Sequence, residues 1–284
     1  EAVVEYRKAA ALDPDSAQIR SMLGRCLTDM GKLEEALEAL DEAVAVYRDS
    51  VGLDHGAVGY TLSNICYVQW RMGDYTRAMD TCDRAVANLE NSFGVDHFSV
   101  SNPLFNKAVI LRELGEFEQA RDLDERVLAI REKHLGPDHT AVGWALHDLA
   151  LCHEFLGDLD TARVLQERAM AIQERALGAD SNAVSMSLTR LAVGRADDGD
   201  LEEAHAMFQR ALDIREQVLG VDHPDPDHRH RFAGRRPQAR RRIGIAACHH
   251  VGNRQERAGF GHAVGGVHVD PALQRPPGQP FRQG

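Results

Sequence analysis

Four Asp-His pairs are the first candidates for chemistry: Asp54-His55, Asp96-His97, Asp138-His139 and Asp222-His223. A carboxylate beside an imidazole can orient it for general acid–base work. A catalytic dyad would not be needed four times. The Asp side chains are expected instead to cap the helices that follow, by accepting their free backbone N–H groups. A metal reading of His147, His153 and Glu154 is weak, because the two histidines are six apart. That is off the i, i+4 spacing that puts two ligands on one helix face. Cys248-His249-His250 is compact but lacks companions at zinc-site spacing. The five cysteines (26, 66, 82, 152 and 248) are scattered and contain no C-x-x-C pair. This predicts reduced thiols in a cytoplasmic setting, not a disulfide framework. There is no Gly-rich phosphate loop and no nucleophile elbow. The chain is therefore read as non-enzymatic, with no catalytic residue, no cofactor and no metal.

The elements that hold these residues follow a period. Gly31, Gly73, Gly115, Gly157 and Gly199 are spaced by 42 residues. Gly52, Gly94, Gly136, Gly178 and Gly220 form a second series, and Ala36, Ala78, Ala120, Ala162 and Ala204 a third, at the same spacing. A fixed period in this range means a solenoid. Between the glycines the apolar pattern is helical, as in Leu146, Leu149 and Ala150 at i, i+3, i+4. Aromatics make up only 6% of the chain, which also favours helices over a β-sandwich. Each unit is predicted to be a helical hairpin. Its first helix ends at the first glycine and its second helix at the second, with both glycines in the left-handed conformation. Small residues recur where the helices must approach, namely Gly24, Cys66, Ala108, Ala150 and Ala192 in the first helices. A lone hairpin cannot bury its apolar face, so stacked neighbours make the core. Lys107 departs from the pattern, at a position held elsewhere by Leu23, Ile65, Leu149 and Leu191. Gly194 and Asp197-Asp198 weaken the last first helix, so the fifth hairpin is expected to be the softest.

Ala2-x3-Tyr6-x2-Ala9-x4-Pro14 resembles the second helix of a tetratricopeptide repeat. The step from Ala2 to Ala36 is 34 residues, the standard period of that family. The 42-residue steps are similar to the longer repeats of kinesin light chains. So are the phrases Glu167-Arg168-Ala169-Met170-Ala171-Ile172 and Leu135-Gly136-Pro137-Asp138-His139. The resemblance covers residues 1–224. It implies an all-α superhelix made of a half repeat (1–14) and five hairpins at about 15–53, 54–95, 96–137, 138–179 and 180–224. It also implies binding without catalysis, in a concave groove lined by the first helices. Projected onto this chain, the family register puts Tyr60, Ser63, Asn64, Tyr67, Trp70 and Arg71 in that groove. Asn102, Phe105, Asn106, Arg112 and Glu113 follow from the third hairpin, and Trp144, His147, Asp148, Glu154 and Phe155 from the fourth. Aromatic residues and Arg, with adaptable Asn neighbours, are the usual make-up of binding hot spots.

Charge divides the chain at about residue 224. Residues 1–224 carry 22 basic and 40 acidic groups, whereas residues 225–284 carry 11 Arg and four acids. The last 60 residues have a single Leu but nine Gly, six Pro and six His. Such a segment has little to bury, and a disordered tail is expected. It reads as a basic arm, as a plain linker, or as translation out of frame. Its composition favours the last. The expected partner is a protein or peptide, with basic segments that suit the acidic array. No membrane contact is expected, and nucleic acid only through the Arg cluster of the tail. The preferred reading is a peptide-capturing scaffold. The alternative is the C-terminal sensor arm of a larger bacterial signalling ATPase or transcription regulator, of which this chain would be a fragment.

Overall fold

The computed structural model describes residues 2–13 and 15–219. The predicted tail lies outside the described residues, and so do Asp222-His223 and Cys248-His249-His250. Every regular element among the described residues is helical. In order these are α1 (Ala2–Leu12), α2 (Ala17–Asp29), α3 (Leu33–Val51), α4 (Gly56–Met72), α5 (Tyr75–Phe93) and α6 (Ser101–Leu114). They continue as α7 (Phe117–Leu135), α8 (Thr140–Leu156), α9 (Leu159–Leu177), α10 (Asn182–Asp198) and α11 (Leu201–Leu219). A 3-10 turn at Phe98–Val100 leads into α6. After α1 the helices pair as α2/α3, α4/α5, α6/α7, α8/α9 and α10/α11, and each pair packs on the next.

The two glycine ladders end helices in different ways. Gly73, with φ 82° and ψ 9°, is left-handed, and its N–H donates to the carbonyls of Gln69 and Trp70. That stops α4 as expected. Gly94 sits at φ 95° and ψ 156°. Gly52, Gly94, Gly136 and Gly178 of the second ladder are thus extended at positive φ, not left-handed as predicted, in a region reserved almost wholly for glycine. The chain leaves the second helix in this extended form and reaches the next first helix in a few residues.

Helix starts bring a second correction. The histidines, not the aspartates, are the caps. Nδ1 of His55 accepts from the N–H of Ala57, that of His97 from Ser99 and that of His139 from Ala141, at 3.1–3.3 Å. The Ser181 side chain takes over the same register position in the fifth hairpin and accepts from Val184. The aspartates instead tie the start of each hairpin to its own second helix: Asp96 pairs with Lys133 of α7 at 3.1 Å and Asp138 with Arg175 of α9 at 2.7 Å. An extended N-cap residue points its side chain back at the first turn, and a neutral imidazole supplies the acceptor as well as a hydroxyl does.

Within a hairpin, a small residue of the first helix faces a larger one of the second. A Cβ added to Gly24 would lie 2.5 Å from Cγ of Leu40. The same register position in the next hairpin holds Cys66 opposite Cys82. These two are fully buried and joined in a disulfide, with Cα atoms 5.4 Å apart. The prediction of reduced thiols fails for this pair, because the hairpin brings residues 16 apart in sequence to the same height. Cys26 and Cys152 are free.

Across hairpins, α2 touches α4 and α4 touches α6, while no two second helices approach comparably among the described residues. The second helices are bridged by long side chains: Glu90–Arg126 at 2.6 Å, Glu132–Arg168 at 2.6 Å and Glu174–Arg210 at 2.9 Å. Lys107 fits the array by reaching out of its helix to an ion pair with Asp83.

Candidate functional site

The first helices carry every residue assigned to the groove. On α4, Tyr60, Asn64, Tyr67 and Trp70 are half-buried and Arg71 is exposed. The rings of Tyr67 and Trp70 lie 5.5 Å apart, and the Arg71 guanidinium sits 5.9 Å from the Tyr67 ring. Arg71 also donates to the Thr28 carbonyl at 3.2 Å, which fixes it against α2. The Tyr60 hydroxyl hydrogen-bonds Ser99 of the next hairpin. Trp70 packs partly into the apolar clusters that join the second and third hairpins. On α6, Asn102 is half-buried. On α8, Trp144 is half-buried with its ring edge toward His147, and Phe155 stacks on Phe117 at 4.4 Å.

Six other residues predicted to line the groove are buried instead, Ser63 on α4 among them. Phe105 is 2% exposed, and the Arg131 guanidinium lies 4.7 Å from its ring. Asn106 donates to the Ser63 carbonyl at 3.2 Å. Arg112 forms ion pairs with Asp124 and, at 3.1 Å, with Asp148. His147 and Asp148 are at most 2% exposed. A first helix packs against its own second helix and against the second helix of the preceding hairpin. Positions beside the groove stripe therefore fall into the junctions between hairpins.

These residues build a buried polar network through the third to fifth hairpins. Burial pushes His147 down to about 3, with Arg190 and Arg112 adding to the shift, so its ring is neutral. Burial pushes the Cys152 thiol up to about 12 against the pull of Arg112, and the sulfur donates to Asp124 at 3.5 Å. Burial also lowers Arg131, to about 10, although Asp148 and Asp124 hold its charge. Burial raises the Asp124 carboxyl, with Arg112 opposing. The network goes on from Gln166 through the Ser187 hydroxyl to Gln173 at 2.7 Å per step. A thiol held this high and a neutral, enclosed imidazole are poor nucleophile and base, so the cluster is structural chemistry.

Sequence reasoning missed Asp124, Arg131 and Gln173. The available signal was their place in the 42-residue register: Asp124 and Gln166 stand where the earlier hairpins have Leu40 and Cys82, and Arg131 and Gln173 follow Leu89. Polar residues on a buried stripe imply partners on the same stripe. Among the described residues no group of three or more His, Cys, Asp and Glu is placed to hold a metal. No described helix is long and apolar enough to cross a membrane.

The tetratricopeptide repeat family matches the chain in overlapping segments, at residues 15–91, 57–133, 99–175 and 143–217. The chain belongs to the tetratricopeptide repeat family. No curated protein matches it. Among solved structures it is similar to BtubC (BKLC) from P. vanneervenii, with a TM-score of 0.65 and 23% identity over 81% of this chain and 93% of that one. It is also similar to the kinesin-light-chain-type TPR-like repeats of Podosopora anserina, with a TM-score of 0.60 and 22% identity over 72% and 96%. A Rap protein complexed with Competence and Sporulation Factor shares the fold at a TM-score of 0.58 and 13% identity over 76% and 64%. At these identities the likeness is one of fold. The described residues of this tetratricopeptide repeat chain thus form an all-α array of helical hairpins.

Proposed function

We propose that this tetratricopeptide repeat chain is a non-enzymatic scaffold that captures a peptide or helix of a partner protein along its first helices. The observation that carries this reading is a periodic stripe that stays only partly buried. Tyr60, Asn102 and Trp144 share one register position of α4, α6 and α8 and remain partly accessible, flanked by Asn64, Tyr67, Trp70, Arg71 and Phe155. Such a row of aromatic rings and amides on an extended concave surface suits peptide recognition. The Rap fold in complex with Competence and Sporulation Factor supports it by analogy. The acidic excess of residues 1–224 favours partners with basic segments, held in a salt-sensitive way.

The test is a screen of the full chain against a peptide library, followed by affinity measurement on the selected peptide. Trp144→Ala and the double change Tyr67→Ala/Arg71→Ala should each weaken binding about tenfold or more, the size of a modest hot spot. Trp70→Ala is a poorer probe, since Trp70 also packs into the core. Unchanged affinity in both variants, with unchanged circular dichroism, removes the groove assignment. The reading keeps a cytoplasmic setting: free Cys26 and Cys152 fit it, the Cys66–Cys82 bond does not. Thiol counting on protein trapped directly from cells decides between them.

A further inference from the structure

The junctions between hairpins share a plug, and one plug is missing. Val68, Ile110 and Cys152 occupy the same register position of α4, α6 and α8, and each is completely buried. Each fills a notch in the preceding hairpin. Val68 packs with Ala36 and Leu40, Ile110 with Cys66, Ala78 and Cys82, and Cys152 with Ala120. The matching residue of α10 is Gly194. It is exposed, and a Cβ built on it meets nothing within 4 Å. The wall that a plug would cover is present, since Ala150, Ala162 and Gln166 hold the positions of Cys66, Ala78 and Cys82. There the structure has a cavity of about 50 Å³, lined by these residues together with Leu151, Leu191 and Arg163.

We propose that this notch is an anchor pocket for a branched aliphatic side chain of a partner peptide, of valine or isoleucine type. The occupant is read from the chain itself. The three equivalent notches hold Val, Ile and Cys, and their walls are built from the same small and medium-sized residues. Size sets an upper limit, because the cavity is well below the ~150 Å³ that accommodates a benzene ring. The pairs Arg163–Asp198 at 3.1 Å and Arg190–Glu154 at 3.6 Å sit at the mouth, with Asp197 beside them. The apolar wall of Ala150, Leu151, Ala162 and Leu191 calls for an uncharged side chain, and the polar mouth for a peptide backbone. The pocket rests on the reading that the array captures peptides, and adds a specificity determinant outside the aromatic stripe.

The experiment uses the full chain and four probes: N-acetyl-valine amide, N-acetyl-isoleucine amide, N-acetyl-phenylalanine amide and N-acetyl-lysine amide. Methyl NMR of Ala150, Ala162 and Leu191 is followed during titration. The valine and isoleucine amides should give saturable shifts, and the phenylalanine and lysine amides none. Gly194→Ile supplies the missing plug and should abolish the shifts. Gly194→Ala, which the open space around the glycine tolerates, should weaken them and guards against a folding failure of the larger variant. No saturable shift with either aliphatic amide overturns the proposal, as does equal binding in the two folded variants. These probes are too short to span the groove. Failure here leaves the groove reading standing, and failure of Trp144→Ala to weaken peptide capture leaves the pocket standing.

Discussion

His147 shows at a single residue how position in the array overrides residue type. By sequence it was a groove side chain with hydrogen-bonding capacity; in the structure it is enclosed, neutral and close to Arg112 and Arg190. Its folded value, about 3, lies below that of an unfolded imidazole, so the unfolded chain takes up the proton first. The sign is then fixed. Stability falls as pH drops below the ordinary imidazole range, and the loss continues until about pH 3. Between pH 7 and 5.5 this one residue should cost ~1 kcal/mol. His147→Gln keeps an amide in place of the ring but removes the titration. The variant should lose stability less steeply over that interval than the parent, as measured by urea unfolding at each pH. Parallel curves for the two proteins would mean that His147 is solvated in the folded state.

For the helices and turns, the sequence specified most of what forms, because the period constrains all copies at once. The 42-residue glycine ladders located the helix ends, and the alanine ladder located the close approaches. What the period could not supply was the identity of the atom that performs each role. Asp and His are adjacent in every loop, and both can accept from a helix N-terminus; only the backbone direction at the cap gives the role to His. The accessibility of the proposed groove residues was half legible for the same reason. The register left Tyr60, Asn102 and Trp144 partly accessible, but the positions beside them are shared with neighbouring helices, and that took Phe105, Asn106 and Arg112 inside. Cys66 and Cys82 were legible only as one rung of the small-against-large contact that pairs Gly24 with Leu40. The cap assignment yields a direct prediction. His139→Ala removes the acceptor for Ala141 and should destabilise the chain by about 1 kcal/mol. His139→Ser should restore most of it, since Ser181 caps α10 from the same register position. The measurement is the unfolding midpoint of each variant, and an alanine variant as stable as the parent would return the capping role to other groups.

For the molecule as a whole, the array is a chain of nearest-neighbour interfaces, and a change in one should be felt only nearby. Its junctions are chemically unlike. The second and third hairpins meet over an apolar cluster beside the Cys66–Cys82 bond. The third and fourth meet over the Arg112–Asp124–Asp148 network. The fourth and fifth meet over an amide chain and the open notch at Gly194. Glycine inside α10 costs about 1 kcal/mol against alanine, and the absent plug removes apolar contact from the same interface. Amide hydrogen exchange in α10 and α11 should therefore be faster than in α4 and α5, with the gradient running along the stack. Gly194→Ala should slow exchange in α8 to α11 by a factor of about five, which corresponds to ~1 kcal/mol of local stability, and leave α2 to α5 unchanged. A uniform slowing along the whole chain would show instead that the hairpins open as one cooperative block. The distinct junctions would then serve only to keep the hairpins in order.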